Sequence, residues 1–473
     1  MQGRAVISLV AVLCVASPCR ADEPPAPDAL ARDIFRELIE IDTTESTGSV
    51  TAAAIAMRRR FLDAGFADED LLLLGPVQRK QNLVVRLRGN GRRRPVLLLG
   101  HLDVVAARRE DWSTDPFALV EKDGFFYGRG AEDMKNGVAV MATALIRLKA
   151  EGFRPARDPI LALTADEEGG AANGVAWLLA NHRELIDAEF AVSQDDYSVV
   201  TEQGRPLYFA VYAAEKTYAD YRLIATGPAG HSALPLPDNA IYRLAGALAR
   251  LERHDFPFEL NAVTRGYYRA MAAIESGRRA ADMRAILQPV PDMHAAARLA
   301  RDPTDRSLLH TTCVATRLAA GDANNVLPPG AEATVNCRVL PGHSPEEIRR
   351  TLQQVAADRH VAVRYIADDG RLMDTAPEQR GFVPQALYAG IMAPLETVVA
   401  QMWPGLAVVP TMSVGTSDAS IAGAAGLPAF TIAGFAVDRD DDRAHDRDER
   451  IGVESFYRGN EFAYRYLKAL SAD

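Results

Sequence analysis

The chain has 473 residues, enough for two domains, because a single hydrophobic core stops growing at about 250–300 residues. Hydrophobic residues make up 48% and charged residues 25% of it, the balance of an ordinary globular protein. A formal net charge of −10 argues against the dense basic face that a nucleic-acid-binding protein needs, so we expect no nucleic-acid partner.

The first segment predicts export. Arg4 precedes an apolar run over 5–16, and small residues follow this run as far as Ala21. The run is too short to cross a membrane, and a basic start, apolar centre and small-residue end are typical of a secretory signal. We expect a signal peptide over 1–21 and an exported protein, with an uncleaved membrane anchor as the alternative. No later run is apolar enough for a span, so no membrane association is expected after cleavage.

Helical and strand patterns alternate in the next part of the chain. The spacing of apolar residues predicts helices over 29–38, 51–64 and 137–149, and strands over 82–87, 95–99 and 159–164. Alternation of this kind indicates an α/β layer with a mostly parallel mixed sheet flanked by helices. We therefore predict the first part of a catalytic domain over 28–205.

A second unit is predicted over 206–371. It starts with a long strand pattern over 207–226, and an Ala- and Arg-rich stretch over 254–307 is predicted to be helical. Further patterns predict helices over 239–251 and 344–357 and strands over 311–318, 331–340 and 361–366. This β-α-β-β-α-β order is typical of a compact α+β unit. Because the α/β pattern returns over 372–473, we predict one catalytic domain split by an inserted domain.

Cys313 and Cys337 are the two cysteines that follow the signal segment. Both lie in strand-like runs joined by a turn-rich segment, so the two residues could be cross-strand neighbours. An oxidising compartment permits a disulfide between them. Two buried thiols are the default expectation, and the disulfide is the alternative.

A histidine and an aspartate follow the strand predicted over 95–99. His101 and Asp103 project from the same side of an extended chain, at the carboxyl end of the strand, where open α/β sheets place their sites. The Asp103 carboxylate can hold the imidazole in one tautomer and leave the other ring nitrogen for a metal ion. By itself this pair is a weak signal.

Acidic residues follow two further predicted strands or turns. Asp133 comes after a glycine-rich turn, and Glu167 and Glu168 come after the strand over 159–164 with no Lys or Arg close in sequence. Adjacent carboxylates repel each other, and a divalent cation would compensate this charge. Glu168 can bind such a cation, while Glu167 points elsewhere and can take a proton from an attacking water.

Two more segments complete a set of metal ligands. A strand pattern over 190–194 ends in Asp195 and Asp196, either of which can be the ligand, and Asp195 is preferred. His445 lies in a polar loop near the C-terminus. Together the segments provide two histidines and several carboxylates, a donor set suited to a pair of zinc or similar ions.

These segments resemble the M20 family of metallopeptidases, which includes carboxypeptidases, aminoacylases, dipeptidases and desuccinylases. The matching motifs, in the family's order, are GHLD (100–103), GRGAEDMK (128–135), DEEG (166–169), GPAGHS (227–232), NVLP (325–328), GTSD (415–418) and HDRDE (445–449). The segment SQDD (193–196) departs from the family's pattern, which leaves the choice between the two aspartates open.

The resemblance implies roles for individual residues in a two-metal site. The implied ligands are His101 and Asp195 for one ion, Glu168 and His445 for the other, and Asp133 as the bridge between them. Glu167 matches the family's general base, and Asp103 matches the partner of the ligand His101. The implied cofactors are two divalent metal ions, with Zn2+ preferred.

The resemblance also implies residues that contact the substrate. His231 matches a histidine that stabilises the oxyanion and, in dimeric members, reaches the site of a partner subunit. Asn325, Arg338 and Thr416 match positions that bind the carboxylate of the substrate. The inserted domain would be the lid and the dimerisation domain of a homodimer.

We therefore predict a two-metal hydrolase that cleaves the peptide or amide bond next to a free carboxylate, as a carboxypeptidase does. The substrate is expected to be a small peptide or an N-acylated amino acid. An N-acyl-amino-acid amidase or a dipeptidase is the alternative, and an inactive relative that only binds peptides is a remote one.

Overall fold

The computed structural model of the chain describes residues 26–378, 387 and 389–472. The signal peptide predicted over 1–21 lies outside these residues. None of the helices in this part of the chain is long and apolar enough to cross a membrane.

The described chain alternates between helices and strands. The helices are α1 (Pro27–Glu40), α2 (Val50–Asp63), α3 (Lys135–Ala150), α4 (Gly174–Asn181), α5 (Arg183–Ile186), α6 (Ala240–Glu252), α7 (Ala262–Ile274), α8 (Gly277–Ile286), α9 (Met293–Leu299), α10 (Pro303–Leu309), α11 (Pro345–Ala356), α12 (Ala389–Met402), α13 (Asp418–Ala424) and α14 (Val453–Ser471). The strands are β1 (Leu71–Leu74), β2 (Asn82–Arg86), β3 (Val96–His101), β4 (Val120–Lys122), β5 (Phe125–Tyr127), β6 (Pro159–Thr164), β7 (Phe190–Ser193), β8 (Val199–Glu202), β9 (Arg205–Glu215), β10 (Thr217–Thr226), β11 (Gly230–His231), β12 (Thr312–Ala320), β13 (Val326–Leu327), β14 (Gly330–Val339), β15 (Val361–Ile366), β16 (Leu372–Met373), β17 (Val408–Ser413), β18 (Ala429–Thr431), β19 (Ala436–Asp438) and β20 (Arg450–Gly452).

The larger sheet has helices on both faces. Its strand order is β1-β2-β6-β3-β7-β18-β9-β8-β19, and β17 pairs with β9. The central pairs β6–β3, β3–β7 and β7–β18 are parallel, and β1–β2 and β2–β6 are antiparallel. Alternate residues of β3 face opposite ways, so Val96 and Leu98 pack with α1, α3 and α14, while Leu97 and Leu99 pack with α4 and α13. The predicted fold class, a mostly parallel mixed sheet flanked by helices, is confirmed.

A smaller antiparallel sheet has the order β12-β14-β10-β15-β16. Helices α6 and α11 cover one of its faces with apolar side chains such as Leu244 and Leu352, which pack on Tyr221 and Val335. Its principal elements follow one another as β10, α6, β12, β14, α11 and β15.

The chain changes sheet at Lys216, inside the segment predicted to be one strand over 207–226. Strand β9 pairs with β8 and β17 in the larger sheet, and β10 pairs with β14 and β15 in the smaller one. The buried Lys216 ammonium donates to the carbonyl oxygens of Ser307 at 3.0 Å and His310 at 2.8 Å, which fixes this crossover. The boundary predicted at residue 206 is therefore wrong, because two consecutive strands of similar composition carry no signal that they join different sheets.

The helical stretch predicted within the inserted domain also packs elsewhere. Helices α7 to α10 belong to the core of the larger sheet, where Tyr268 and Met271 of α7 and Met283 of α8 are buried. The assignment of this stretch to the inserted unit was based on chain order. Apolar faces pack wherever complementary surface exists, and here this surface is next to β17.

Cys313 and Cys337 form a disulfide. The two residues lie directly opposite each other in the adjacent strands β12 and β14, with their Cα atoms 4.1 Å apart. The default expectation of two thiols is therefore wrong. The strands were predicted, but their pairing register was not, and the register decides whether two cysteines meet.

Glu346 at the start of α11 offers a test of the small domain's stability. The buried Glu346 carboxylate accepts two hydrogen bonds from Arg349, at 2.7 and 2.8 Å, and these lower its pKa from 4.5 to about 2. A lowered pKa stabilises the fold above the ordinary pKa and loses this effect as the pH falls towards 2. We expect Glu346→Gln to destabilise the protein by about 1–2 kcal/mol at pH 7, since the pair borders solvent, and by less at pH 3.

Urea unfolding of both proteins at pH 7 and pH 3 measures this difference. Glu121→Gln is the matched control, because Glu121 is exposed and its contact with Arg32 is a surface ion pair at 2.7 Å. An effect of Glu346→Gln that stays the same at both pH values would contradict the assignment.

Candidate metal centre

The predicted ligands converge because they follow neighbouring strands of the larger sheet. Strands β6, β3 and β7 lie side by side and run parallel. His101 ends β3, Glu168 follows β6, and Asp195 follows β7, so all three lie at the same edge of the sheet. Asp133 reaches this edge from the turn before α3, and His445 from the loop before β20.

His101 lies at the centre of the first ligand group. Its Nε2 atom is 2.9 Å from Oδ1 of Asp133 and 3.4 Å from Oδ1 of Asp195. Its Nδ1 atom donates to the backbone carbonyl oxygen of Asp103 at 3.0 Å. This bond fixes the ring and leaves Nε2 facing two carboxylates, which is the arrangement of a histidine that binds a metal ion.

The second ligand group shares Asp133 with the first. Nε2 of His445 is 3.0 Å from Oδ2 of Asp133 and 2.8 Å from Oε2 of Glu168. One oxygen of Asp133 therefore faces His101 and the other faces His445. The two groups are suited to hold a pair of cations with Asp133 between them.

The chemistry of the site fits two divalent cations. Burial raises the pKa of Glu167 well above its ordinary value and that of Asp195 to about 6, because the charged forms lack compensation. Oε1 of Glu168 is buried and has no hydrogen-bond partner among the described residues. Carboxylate oxygens and imidazole nitrogens are ligands of zinc and similar ions, which would supply both the missing charge and the missing partner.

Asp103 has a different task from the one predicted. Its carboxylate accepts hydrogen bonds from the backbone amides of Glu167 at 3.2 Å and Glu168 at 3.0 Å, and its Oδ1 lies 3.8 Å from Nδ1 of His101. The imidazole bonds the Asp103 backbone carbonyl instead. The sequence spacing of His101 and Asp103 brought the two residues together. It could not show that the backbone carbonyl, and not the carboxylate, accepts the hydrogen bond from the imidazole.

Glu167 lies on a turn that hydrogen bonds to the preceding residue hold in place. Asp166 before it has a φ of 57°, and the Asp166 carboxylate accepts a hydrogen bond from Nζ of Lys80 at 2.7 Å. The Asp166 carbonyl oxygen accepts another from the Asn173 side chain at 3.2 Å. Glu167 is thereby held with Oε2 4.0 Å from Nε2 of His101, beside the ligands but not among them.

Arg129 and Glu449 support the centre and were not assigned a role from the sequence. Glu449 is buried, and it accepts hydrogen bonds from Nη1 of Arg129 at 2.6 Å and from the backbone amide of Asp133 at 3.0 Å. Arg129 also donates to the backbone carbonyl oxygen of His445 at 3.3 Å. The pair ties the shared aspartate to the loop that carries His445. Both residues lie in the quoted motifs, which was the available signal.

Two predicted substrate-binding residues line the cavity that contains the ligands, which has a volume of about 880 Å³. Arg338 lies over the ring of Tyr218 at 4.8 Å and forms no salt bridge within the described residues. The Thr416 hydroxyl donates to the carbonyl oxygen of Lys216 at 2.6 Å and accepts from the amide of Tyr218 at 3.1 Å. Thr416 therefore joins the loop after β17 to the crossover between the sheets, a contact that the sequence did not predict.

His231 and Asn325 lie away from this cavity. Both are exposed: His231 ends β11, and Asn325 directly precedes β13 and accepts a hydrogen bond at its carbonyl oxygen from the Ser232 amide at 3.0 Å. Neither residue is among those described as lining the cavity. Within one chain, the structure does not bring them to the metal centre.

A parallel sheet edge at which two imidazole–carboxylate groups share one aspartate defines a dinuclear metallohydrolase. The chain belongs to peptidase family M20/M25/M40, whose sequence profile matches residues 97–469. It is therefore a hydrolase of the M20 metallopeptidase family, and the resemblance in the sequence is confirmed.

Similar proteins agree with this assignment. The chain is 30% identical over 281 residues to N-fatty-acyl-amino acid synthase/hydrolase PM20D1 of Mus musculus, covering 58% of this chain and 54% of that protein. It is 26% identical over 408 residues to PM20D1 of Homo sapiens, covering 80% of this chain and 74% of that protein. The chain thus spans about half the length of the mouse relative. The crystal structure of the M20 family metallo-carboxypeptidase Sso-CP2 from Sulfolobus solfataricus shares the fold, with a TM-score of 0.69, 16% identity, and coverage of 93% of this chain and 99% of that one.

Proposed function

We propose that this hydrolase cleaves the peptide or amide bond next to a free carboxylate, as a carboxypeptidase does. The observation that carries the proposal is the Arg338 guanidinium, which faces the same cavity as the ligand groups and has no carboxylate partner in the described chain. A planar guanidinium fork binds a carboxylate through two parallel hydrogen bonds. A substrate carboxylate bound by Arg338 would bring the neighbouring carbonyl group into the cavity that the ligand groups also line.

In the proposed mechanism, His101, Asp133, Asp195, Glu168 and His445 would hold two Zn2+ ions. Bound divalent cations lower the pKa of a water molecule and polarise the substrate carbonyl. Glu167 takes the proton of the attacking water, because its carboxylate lies beside the two ligand groups without belonging to either. Glu167 then delivers the proton to the amine nitrogen as it leaves.

A second candidate function is the hydrolysis of N-acyl amino acids or of dipeptides. The mouse and human relatives are named N-fatty-acyl-amino acid synthase/hydrolases, which supports the first of these. Both classes of substrate also have a free carboxylate next to the bond, so they share the requirement for Arg338. The acyl side of the substrate distinguishes the alternatives.

The first test compares substrates with a free carboxylate against their C-terminally amidated forms, on protein loaded with Zn2+. We expect Arg338→Met to lower kcat/KM for the free acid by about 100-fold, since hydrogen bonds between charged groups contribute about 1.5–3 kcal/mol each. The variant should lose most of the discrimination against the amide.

Arg222→Met is the matched control for this test. Arg222 lies in the same small sheet, forms an ion pair with Glu332 at 3.0 Å and does not line the cavity. Equal losses in the two variants, or undiminished preference for the free acid in Arg338→Met, would refute the proposed role of Arg338.

We further propose export through residues 1–21 and a homodimer formed through the small domain. The disulfide between Cys313 and Cys337 supports export, because such bonds persist in oxidising compartments. The position of His231 supports a dimer, since this exposed residue lies outside its own chain's cavity and would serve the site of a second copy.

A further inference from the structure

Four polar side chains form a square on one face of the small sheet. Tyr218 lies directly opposite Arg338 in the antiparallel pair of β10 and β14, and Asp220 lies directly opposite Asn336. Residues two apart in a strand project from the same face, so all four side chains are neighbours. Asp220 and Arg338 are the diagonal pair of opposite charge in this square, and both line the cavity, as does Tyr218.

Asp220 and Arg338 do not form the ion pair that their positions allow. Diagonal positions of an antiparallel pair lie about 7–8 Å apart, within reach of a long side chain such as arginine. Both oxygens of the Asp220 carboxylate instead accept from uncharged groups of the same square. Oδ2 accepts from the Tyr218 hydroxyl at 2.6 Å, and Oδ1 accepts from the Asn336 side-chain amide at 2.9 Å. Within the described residues, Asp220 therefore has two hydrogen-bond donors but no cation.

The Arg338 guanidinium lies over the ring of Tyr218 instead, with its Cζ atom 4.8 Å from the ring centre. This contact uses the positive charge of the guanidinium but none of its N–H groups, which stay available as donors. Burial and the hydrogen bond to Asp220 raise the pKa of the Tyr218 hydroxyl to about 12, so this group is a donor at neutral pH. Tyr218 thus contacts the cation with its ring and the anion with its hydroxyl.

Two other arginines close to Asp220 on this face have carboxylate partners of their own. Arg222 follows Asp220 by two residues in β10, and Arg364 lies opposite Arg222 in β15. These two arginines pair with Glu332 at 3.0 Å and with Asp374 at 2.9 Å, respectively. Arg338 has no such partner in the described chain, so it is the cation with which an unrestrained Asp220 would pair.

We propose that Tyr218 is a positioning residue that holds Asp220 away from Arg338 and so keeps the guanidinium available for the carboxylate of a substrate. This inference rests on the proposed function. The phenol does two things: its ring supports the cation, and its hydroxyl binds the anion that would otherwise neutralise that cation. Without the hydroxyl, Asp220 would compete with the substrate for Arg338, and the protein would lose part of its preference for ligands with a free carboxylate.

The test measures the binding of leucine and leucinamide to the Zn2+-loaded full chain by calorimetry. The two ligands differ in the free carboxylate, and neither contains the bond that the enzyme is proposed to cleave. We expect the wild-type protein to prefer leucine. Tyr218→Phe should bind leucine about tenfold more weakly and leucinamide equally well, because leucine must then displace a charged hydrogen bond between Asp220 and Arg338. For a substrate with a free carboxylate, this variant should raise KM and leave kcat and the metal content unchanged.

Asp220→Asn provides a rescue, since an amide carries no charge with which to neutralise Arg338. Tyr218→Phe combined with Asp220→Asn should regain the leucine affinity of the wild-type protein. A tyrosine needed only for folding, or for direct contact with the ligand, would not be rescued by a change at this second site. Tyr242→Phe is the matched control, because Tyr242 of α6 is 75% exposed in the same domain and does not line the cavity. This control should bind both ligands as the wild-type protein does.

Unchanged leucine affinity in Tyr218→Phe would overturn the inference, and loss of the leucine preference in Arg338→Met would at the same time leave the proposed function intact. A loss in Tyr218→Phe that Asp220→Asn does not restore would also overturn the inference. If Arg338→Met keeps the full preference for leucine, the proposed carboxylate site fails, and a crystal structure of Tyr218→Phe still decides the role of Tyr218. An Asp220 oxygen within about 4 Å of the Arg338 guanidinium would support this role, and a greater separation would contradict it.

Discussion

Replacing Glu167 by glutamine is expected to lower kcat by about 10²–10⁴-fold while both metal ions stay bound, because positioned general bases contribute rate factors of this size. Glu167 lies beside His101 without entering either ligand group. An amide of the same shape keeps the turn that follows Asp166 but cannot accept a proton. Steady-state kinetics and the metal content of the purified protein, measured by mass spectrometry, provide the two readouts.

Glu168→Gln is the matched control, since it changes the adjacent residue of the same turn in the same way. Glu168 faces His445 at 2.8 Å in the second ligand group, so this variant should lose metal. Comparison of the two variants therefore separates the loss of proton transfer from the loss of metal binding. Near-normal turnover in Glu167→Gln would show that another group is the base.

Replacing Asp133 by asparagine is expected to release both ions. Each Asp133 oxygen faces a different histidine, His101 at 2.9 Å and His445 at 3.0 Å, whereas asparagine has one oxygen and no charge. The affinity for both ions should fall by more than about 100-fold. Replacing a residue that only supports a ligand lowers metal affinity by about 100-fold at most, and Asp133 is itself a ligand. Hydrolysis should then be lost at any metal concentration that does not precipitate the protein.

Two neighbouring residues provide the comparison for this second expectation. Asp195→Asn should weaken one ion, because Asp195 approaches Nε2 of His101 at 3.4 Å, and Asp196→Asn should retain two ions, because Asp196 lies outside both ligand groups. Metal titration of the three variants also tests the preference for Asp195 over Asp196. Retention of two ions by Asp133→Asn would contradict a bridging role.

The position of the metal ligands at one edge of the sheet could be predicted, because strand ends and side-chain chemistry can be read from short segments of the sequence. The strand predicted over 159–164 has these bounds in the structure, and the rule that parallel strands place their sites at their carboxyl ends correctly brought His101, Glu168 and Asp195 together. The crossing at Lys216 was not predictable, since a strand pattern shows which face is buried and not which sheet it joins. The bonds of Thr416 depend on that crossing and were missed with it.

Contacts between residues far apart in the sequence could not be predicted either. Glu449 holds Asp133 across most of the chain, and only the folded arrangement shows that its carboxylate accepts from that segment's amides. Composition marks such a residue as charged and therefore exposed, while the structure buries it completely. The ion pair with Arg129 offsets part of the free-energy cost of burying the Glu449 carboxylate.

The contact between Glu449 and the segment around Asp133 also makes the metal centre depend on the last part of the chain. Until a ribosome has added His445 and Glu449, the growing chain has neither the second histidine nor the carboxylate that fastens the shared aspartate. A chain shortened before residue 445 is therefore expected to lack the second ligand group and to be inactive, even if the rest of the large sheet folds.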